Sequence, residues 1–179
     1  NNGSPIFSVS DSLDSLFYFK FFGIPMPLFY VVFFFALASF VMRYTRLGRH
    51  IYAVGGNAAA SKLSGINAEQ TQVFAFAIAG FMAAVASILM AARLNSGSPN
   101  YGVGMELQAI AAAVIGGASL SGGRGNIIST LFGALTIVVV QNGLNLNAVP
   151  TSLQNIIIGL IILLAVVIDM WREEIGLVF

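Results

Sequence analysis

Cysteine is absent from the 179 residues, histidine occurs once, and charged residues make up only 8% of the chain. Without cysteine there are no disulfides, thiolate metal sites or thiol nucleophiles, and a single histidine leaves little from which to build a metal centre, so no metal is expected. Soluble domains carry roughly 25% charge, whereas this chain combines its scarce charge with 58% hydrophobic residues and a mean hydropathy of +0.88. That balance belongs to a membrane protein. The formal net charge is +1, and no basic block alternates with aromatics, which excludes a nucleic-acid partner. What is abundant is phenylalanine, at 15, and glycine, at 19, the large and small residues of helices packed in lipid.

The chain opens on Asn1-Asn2-Gly3-Ser4-Pro5 without a charged leader, apolar core and cleavage site, so residue 1 is expected to be a cut inside a longer protein. Residues 1–20 are polar, with Asp11, Asp14 and Lys20. Residues 24–42 then run without a charge, and Pro25 and Pro27 stand where a missing N–H costs least, at the start of a first span. The run 73–92 forms a second span, with Ala75, Ala79, Gly80, Ala83 and Ala84 giving it a small-residue face. The run 107–120 is shorter and holds Gln108, Gly116 and Gly117, the character of a broken or re-entrant segment. Runs 127–140 and 153–168 complete an all-α transmembrane bundle of about five segments, closed by Asp169 and the tail beginning at Trp171.

Orientation follows from Lys and Arg in short loops, which stay cytoplasmic. If all five runs cross, Arg43, Arg46, Arg49, Lys62, Arg124 and Arg172 share one side and Lys20 and Arg93 the other. This bias places the C-terminus inside. If the run 107–120 does not cross, the two sides carry equal counts and the bias vanishes.

Residues 43–72 read as a basic loop with local order. Asn57 suits an N-cap for a short helix through Ala58, Ala59, Ala60, Ser61, Lys62 and Leu63, and after Ser64 the left-handed residue Gly65 is placed to end it. Asn67 and Gln70 stand at the spacing of a capping box leading into the second span. An isolated helix of two turns is marginal in water, so the membrane surface, the rest of its own protein or a partner must hold it. His50, beside Arg49, reads as solvated or facing lipid headgroups.

The stretch GGASLSGGRGN, residues 116–126, has glycines at Gly116, Gly117, Gly122, Gly123 and Gly125. Gly117 to Gly122 has the opening spacing of a nucleotide-gripping loop, but Gly123 stands where the lysine belongs and no strand precedes it. The stretch is expected to turn the chain flexibly, and to hold no phosphate. Ser119 and Ser121 lack the G-x-S-x-G context and a nearby histidine, which argues against an intramembrane serine hydrolase. Glu106 and Asp169, at membrane boundaries, are expected to meet water, and no catalytic residue is assigned.

The segments GRHIYAVGGNAAASKLSGIN, ARLNSGSPNYGVGMELQAIAAAVIGGASLSGGRGN, NGLN and LLAVVID, in that order, resemble bacterial ABC-transporter permeases that import monosaccharides such as ribose, xylose and galactose. The resemblance covers roughly residues 46–169. It implies the C-terminal part of an inner-membrane permease that pairs with a second permease copy, docks a cytoplasmic ATPase and receives sugar from a periplasmic binding protein. It also implies that Asn57 to Gly65 is the coupling helix, and that ATP and Mg are bound by the ATPase, leaving this chain without a cofactor. The family pattern has Glu-Leu-Asp-Ala-Ile where this chain has Glu106-Leu107-Gln108-Ala109-Ile110, so no carboxylate is available at position 108.

Sugar hydroxyls need paired donors and acceptors, and Gln108, Gln141, Asn142 and Asn145 are amides in apolar runs that would line a path, with Asn155 a further one. Their alternative is helix-to-helix hydrogen bonding. Branched-chain amino acid permeases share the general plan and stand as the second reading, ahead of a membrane scaffold without transport.

Overall fold

The structure is a computed structural model and describes residues 6–7 and 17–174. Residues 1–5 and the acidic positions Asp11 and Asp14 lie outside the described residues. Among the described residues four helices are long and apolar enough to cross a membrane: α1 (Met26–Tyr44), α4 (Ala68–Leu94), α6 (Ile127–Leu146) and α7 (Thr151–Glu174, apolar through Trp171). Between them lie α2 (Arg46–Gly56), α3 (Ala58–Leu63) and α5 (Met105–Ile115). Large apolar side chains point away from the protein on all four long helices, as at Phe33, Phe76, Val139 and Leu163. Such helices are solvated by lipid tails.

The chain divides into two compact units. The first holds the chain up to Ala38 and Glu69–Val103. In it β1 (Ile6–Phe7) pairs antiparallel with β4 (Ser96–Gly97), and β2 (Lys20–Phe21) pairs with β3 (Ile24–Pro25). The second pair is a hairpin turned by Phe22 and Gly23 at φ 51° and 80°, the paired positive values of a type I′ turn. The Tyr18 hydroxyl donates to the Arg93 carbonyl at 2.9 Å, and the buried Ser96 pairs with the Tyr101 hydroxyl at 2.9 Å. The small-residue face of α4 is exposed at Ala79, Gly80, Ala83 and Ala84.

The second unit, Ser39–Ala68 and Gly104–Phe179, holds the core. Ala111 and Ala112 of α5, Ile137 of α6 and Ile158 of α7 are buried together, with Ile115, Ala134 and Ile162 against them. Alanine and glycine dominate where α5 meets α6. A Cβ on Gly116 would stand 2.5 Å from the Thr130 Cα, and one on Gly133 would fall on the Ala112 carbonyl oxygen. Gly116 lies near Thr130 and Ala112 near Gly133, so the two helices run antiparallel with their backbones nearly touching.

One expectation needs revision. Residues 43–72 are not simply a loop, because α2 occupies Arg46–Gly56. Its apolar Leu47, Ile51 and Val54 recur at helical spacing, a signal masked by the arginines and the paired glycines. The run 107–120 is helical only within Met105–Ile115, about 16 Å of rise against a hydrocarbon core of about 30 Å. The chain nevertheless continues along α7: after the cluster that joins Ala112 to Ile158, Ser119 meets Asp169. Along α7 the advance from Ile158 to Asp169 is about 16 Å, and the hydrogen bond between Ser119 and Asp169 sets residue 119 at that level.

The helix ends explain the chain reversals. At the end of α3 the Gly65 N–H donates to Lys62 and the Ile66 N–H to Ser61, with Gly65 at φ 81°. At the end of α5 the same pair of bonds runs from Gly117 to Val114 and from Ala118 to Ala113, with Gly117 at φ 83°. The third copy, after α6, places Ala148 at φ 53° with bonds to Asn145 and from Val149 to Leu144. All three are left-handed caps, two of them on the residue type that adopts this geometry without strain.

Candidate functional site

Thr45 separates α1 from α2. Its hydroxyl donates to the Val41 carbonyl at 2.7 Å and accepts from the Gly48 N–H at 3.3 Å, stopping one helix and starting the next. Gly48 is buried because its position abuts the backbone of Val41 and Met42, and only glycine permits so tight an elbow. Asn57 repeats the device between α2 and α3: its N–H donates back to the Ala53 carbonyl at 3.0 Å, while its side-chain oxygen accepts from the Ala60 N–H at 2.9 Å. The expected capped helix Ala58–Leu63 is therefore present, with Asn57 as N-cap, Ser64 as C-cap and Gly65 left-handed. Ser61 is buried at 5% exposure, and Leu63 stands 92% exposed, an apolar knob that nothing among the described residues covers.

The glycine-rich stretch is packed, which corrects its reading as a flexible turn. Gly122 and Gly123, at φ 89° and 73°, lie against the backbone of Gly55 and Gly56. The Tyr52 hydroxyl donates to the Gly125 carbonyl at 2.9 Å, and inside the stretch the Ser119 N–H donates to the Arg124 carbonyl at 3.1 Å. Asn126 closes the stretch by capping α6, its side chain accepting from the Ile128 N–H at 2.9 Å. Glycine content signals a turn in a sequence; which glycines touch another backbone depends on partners some sixty residues away.

Asp169 is not simply in water: it is half-buried and accepts from the Ser119 hydroxyl at 3.0 Å. Glu106 accepts from the Gly104 N–H at 3.1 Å, ahead of the first turn of α5. Among the described residues no group of three His, Cys, Asp or Glu could hold a metal. A cavity of about 410 Å³ lies in this unit, walled by Ser39 and Arg43 of α1, Tyr52 of α2 and the chain from Gly125 to Ile128.

Of the four path amides, Gln108 lies on α5 and Gln141, Asn142 and Asn145 lie on α6. Asn145 accepts from the Gln154 Nε2 at 2.9 Å, so for this residue the helix-to-helix bond is the one observed. Gln154, which the sequence reading passed over, is 7% exposed and donates also to the Val149 carbonyl at 2.8 Å. Its position one turn after Pro150 is the only signal that could have marked it. Gln108 and Gln141 are half-buried and Asn142 exposed, and their side-chain amides make no hydrogen bond to the described residues.

The family model described as branched-chain amino acid transport system / permease component matches residues 1–166. The chain is 46% identical over 147 residues to the ribose import permease protein RbsC of Escherichia coli (strain K12), covering 82% of this chain and 46% of that protein. To the xylose transport system permease protein XylH of Haemophilus influenzae it is 49% identical over 147 residues, 82% of this chain and 39% of that protein. The ribose import permease protein RbsC of Bacillus subtilis is 43% identical over 149 residues, 83% of this chain and 46% of that protein. The chain thus spans less than half the length of these relatives. No solved structure matches it.

Proposed function

The chain belongs to the branched-chain amino acid transport system / permease component family, and from that premise we propose that it is the C-terminal part of a permease that imports a monosaccharide through the bacterial inner membrane. ATP is hydrolysed by a partner ATPase, and the permease works as a pair of copies loaded by a periplasmic sugar-binding protein. The chain itself carries no catalytic residue and no cofactor. Sugar is favoured over amino acid because the three relatives described above are ribose and xylose permeases.

The observation that carries the reading is α3. It is too short to be stable alone, yet it is capped at both ends, anchored by Ser61 and crowned by an uncovered Leu63. A short apolar knob outside the long helices fits a groove on a soluble partner. The contact of Gly55 and Gly56 with Gly122 and Gly123 supports a topology in which the loop carrying α3 and the stretch 116–126 share one membrane face. On this reading the run 107–120 also crosses, making five crossings in all. Arg43, Arg46, Arg49, Lys62 and Arg124 gather on that face, which is the cytoplasmic one, and the C-terminus joins them.

Gln108, Gln141 and Asn142, whose amides make no hydrogen bond among the described residues, line the path and offer donors and acceptors to sugar hydroxyls. Asn145 belongs to the same stretch but is held by Gln154. The second reading, import of a branched-chain amino acid, is favoured by the family description alone.

The test is reconstitution of the full-length permease with its ATPase and binding protein, measuring uptake of labelled ribose or xylose against labelled leucine. Sugar uptake is expected, and the double variant A59E/A60E, like L63D, is expected to abolish it and to release the ATPase while the permease still inserts. Native uptake by those variants would remove α3 from the mechanism, and leucine uptake without sugar uptake would select the second reading.

A further inference from the structure

Side-chain contacts yield by changing rotamer, whereas two backbones in direct contact have nothing between them to rearrange, and close-packed interiors transmit displacement. The contact between α2 and the glycine-rich stretch is of the second kind. A Cβ on Gly55 would come within 2.6 Å of the Gly123 nitrogen, one on Gly122 within 2.5 Å of the Gly55 carbonyl oxygen, and one on Gly123 within 2.5 Å of the Gly56 Cα. The Tyr52 hydroxyl adds a hydrogen bond to Gly125 from the same helix. On its other side the stretch is tied to α7 by Ser119 and Asp169, and it continues directly from α5 and into α6. The α5–α6 pair is itself locked backbone to backbone at Gly116 and Gly133.

We propose that α2 and residues 117–126 move as one rigid block during transport, so that a displacement of α3 is delivered across this glycine contact to the α5–α6 hairpin and, through Ser119 and Asp169, to the end of α7. Sequence order alone would hand the displacement only to the neighbours of α3 in the chain, α2 and α1 before it and α4 after it, and not to α5, α6 or α7. The proposal rests on the reading of α3 as the ATPase contact. Asn57 is the joint by which α3 drives the block, since it closes α2 and caps α3 at once.

Gly55 and Gly56 make a matched pair for the test. Both lie in the same helical turn, but a methyl at Gly56 meets the Gly123 Cα at 3.8 Å, an ordinary contact, whereas a methyl at Gly55 wedges the two backbones apart. The full-length permease would be reconstituted with its ATPase and binding protein, and three quantities measured: ATPase retained, ATP hydrolysed and sugar imported. Gly56→Ala is expected to match the native protein. Gly55→Ala is expected to keep the ATPase bound and hydrolysing while sugar imported per ATP falls about tenfold, within the usual range of coupling between sites. Ser119→Ala, which adds no bulk, is expected to uncouple in the same sense, and Ser119→Thr, which keeps the hydroxyl, to restore coupling.

Native sugar-to-ATP ratios in both Gly55→Ala and Ser119→Ala would overturn the proposal. Should Gly55→Ala fail to reach the membrane, the Ser119 pair decides alone. If the ATPase does not associate with the native permease, it is the reading of α3 that falls, and the block with it.

Discussion

Gly133 and Ala148 are mirror cases of a residue set by its backbone surroundings. Gly133 sits in a helix, where alanine would be intrinsically better by about 0.5–1 kcal/mol, yet a Cβ there would strike the Ala112 carbonyl of α5. Ala148 holds the left-handed cap after α6 at φ 53°, where glycines serve at the ends of α3 and α5. Thermal unfolding of the purified full-length permease should therefore respond with opposite signs. Gly133→Ala is expected to lower stability by about 1–3 kcal/mol through overpacking, and Ala148→Gly to raise it by about 1 kcal/mol by removing left-handed strain. An unchanged melting temperature for Gly133→Ala would mean that α5 and α6 are not in backbone contact. The caps at Asn57 and Gly65 were readable in the sequence because each needs only a few adjacent residues. The need for glycine at 55, 116, 122 and 133 was not readable, because the atoms that exclude a side chain come from elsewhere in the chain.

Among elements, the junction of α6 and α7 has the clearest internal bond. Gln154 is buried, and both of its partners, the Asn145 side-chain oxygen and the Val149 carbonyl, are acceptors. The assignment of its amide nitrogen follows, since a carbonyl can only accept. Gln154→Glu would set acceptor against acceptor in a buried position, and Gln154→Met would leave both acceptors unpaired without adding a charge. The expected order of melting temperature is native, then Gln154→Met, then Gln154→Glu, with the first step about 1–3 kcal/mol. Equal stability of the two variants would show that the side chain is solvated. The long helices α1, α4, α6 and α7 were legible because nothing but a continuous apolar run is needed to specify a span. The helix α2 was missed because its apolar stripe is narrow and flanked by Arg46 and Arg49, and its stability comes from packing on the glycine-rich stretch.

At the scale of the whole molecule the decisive question is which loops share a membrane face. The chain has no cysteine, so single cysteines can be introduced in the full-length permease and probed with an impermeant maleimide. Cysteines replacing Ser121 and Ser64 are expected to react only in inside-out vesicles, and one replacing Asn147, in the turn after α6, only in right-side-out vesicles. Reaction of the Ser121 and Ser64 positions from opposite faces would contradict the backbone contact between α2 and residues 117–126. What the sequence determined by itself is everything carried by local composition: a membrane chain, four apolar spans, a short broken segment, a capped helix at Ala58–Leu63 and an order of motifs that marks the family. Tertiary structure alone decided that residues 116–126 are a packed joint, that Asp169 is paired and that Asn145 is held by Gln154. The reason is physical: spans and caps are specified by neighbours along the chain, whereas close backbone contacts and buried hydrogen bonds exist only once distant segments are brought together.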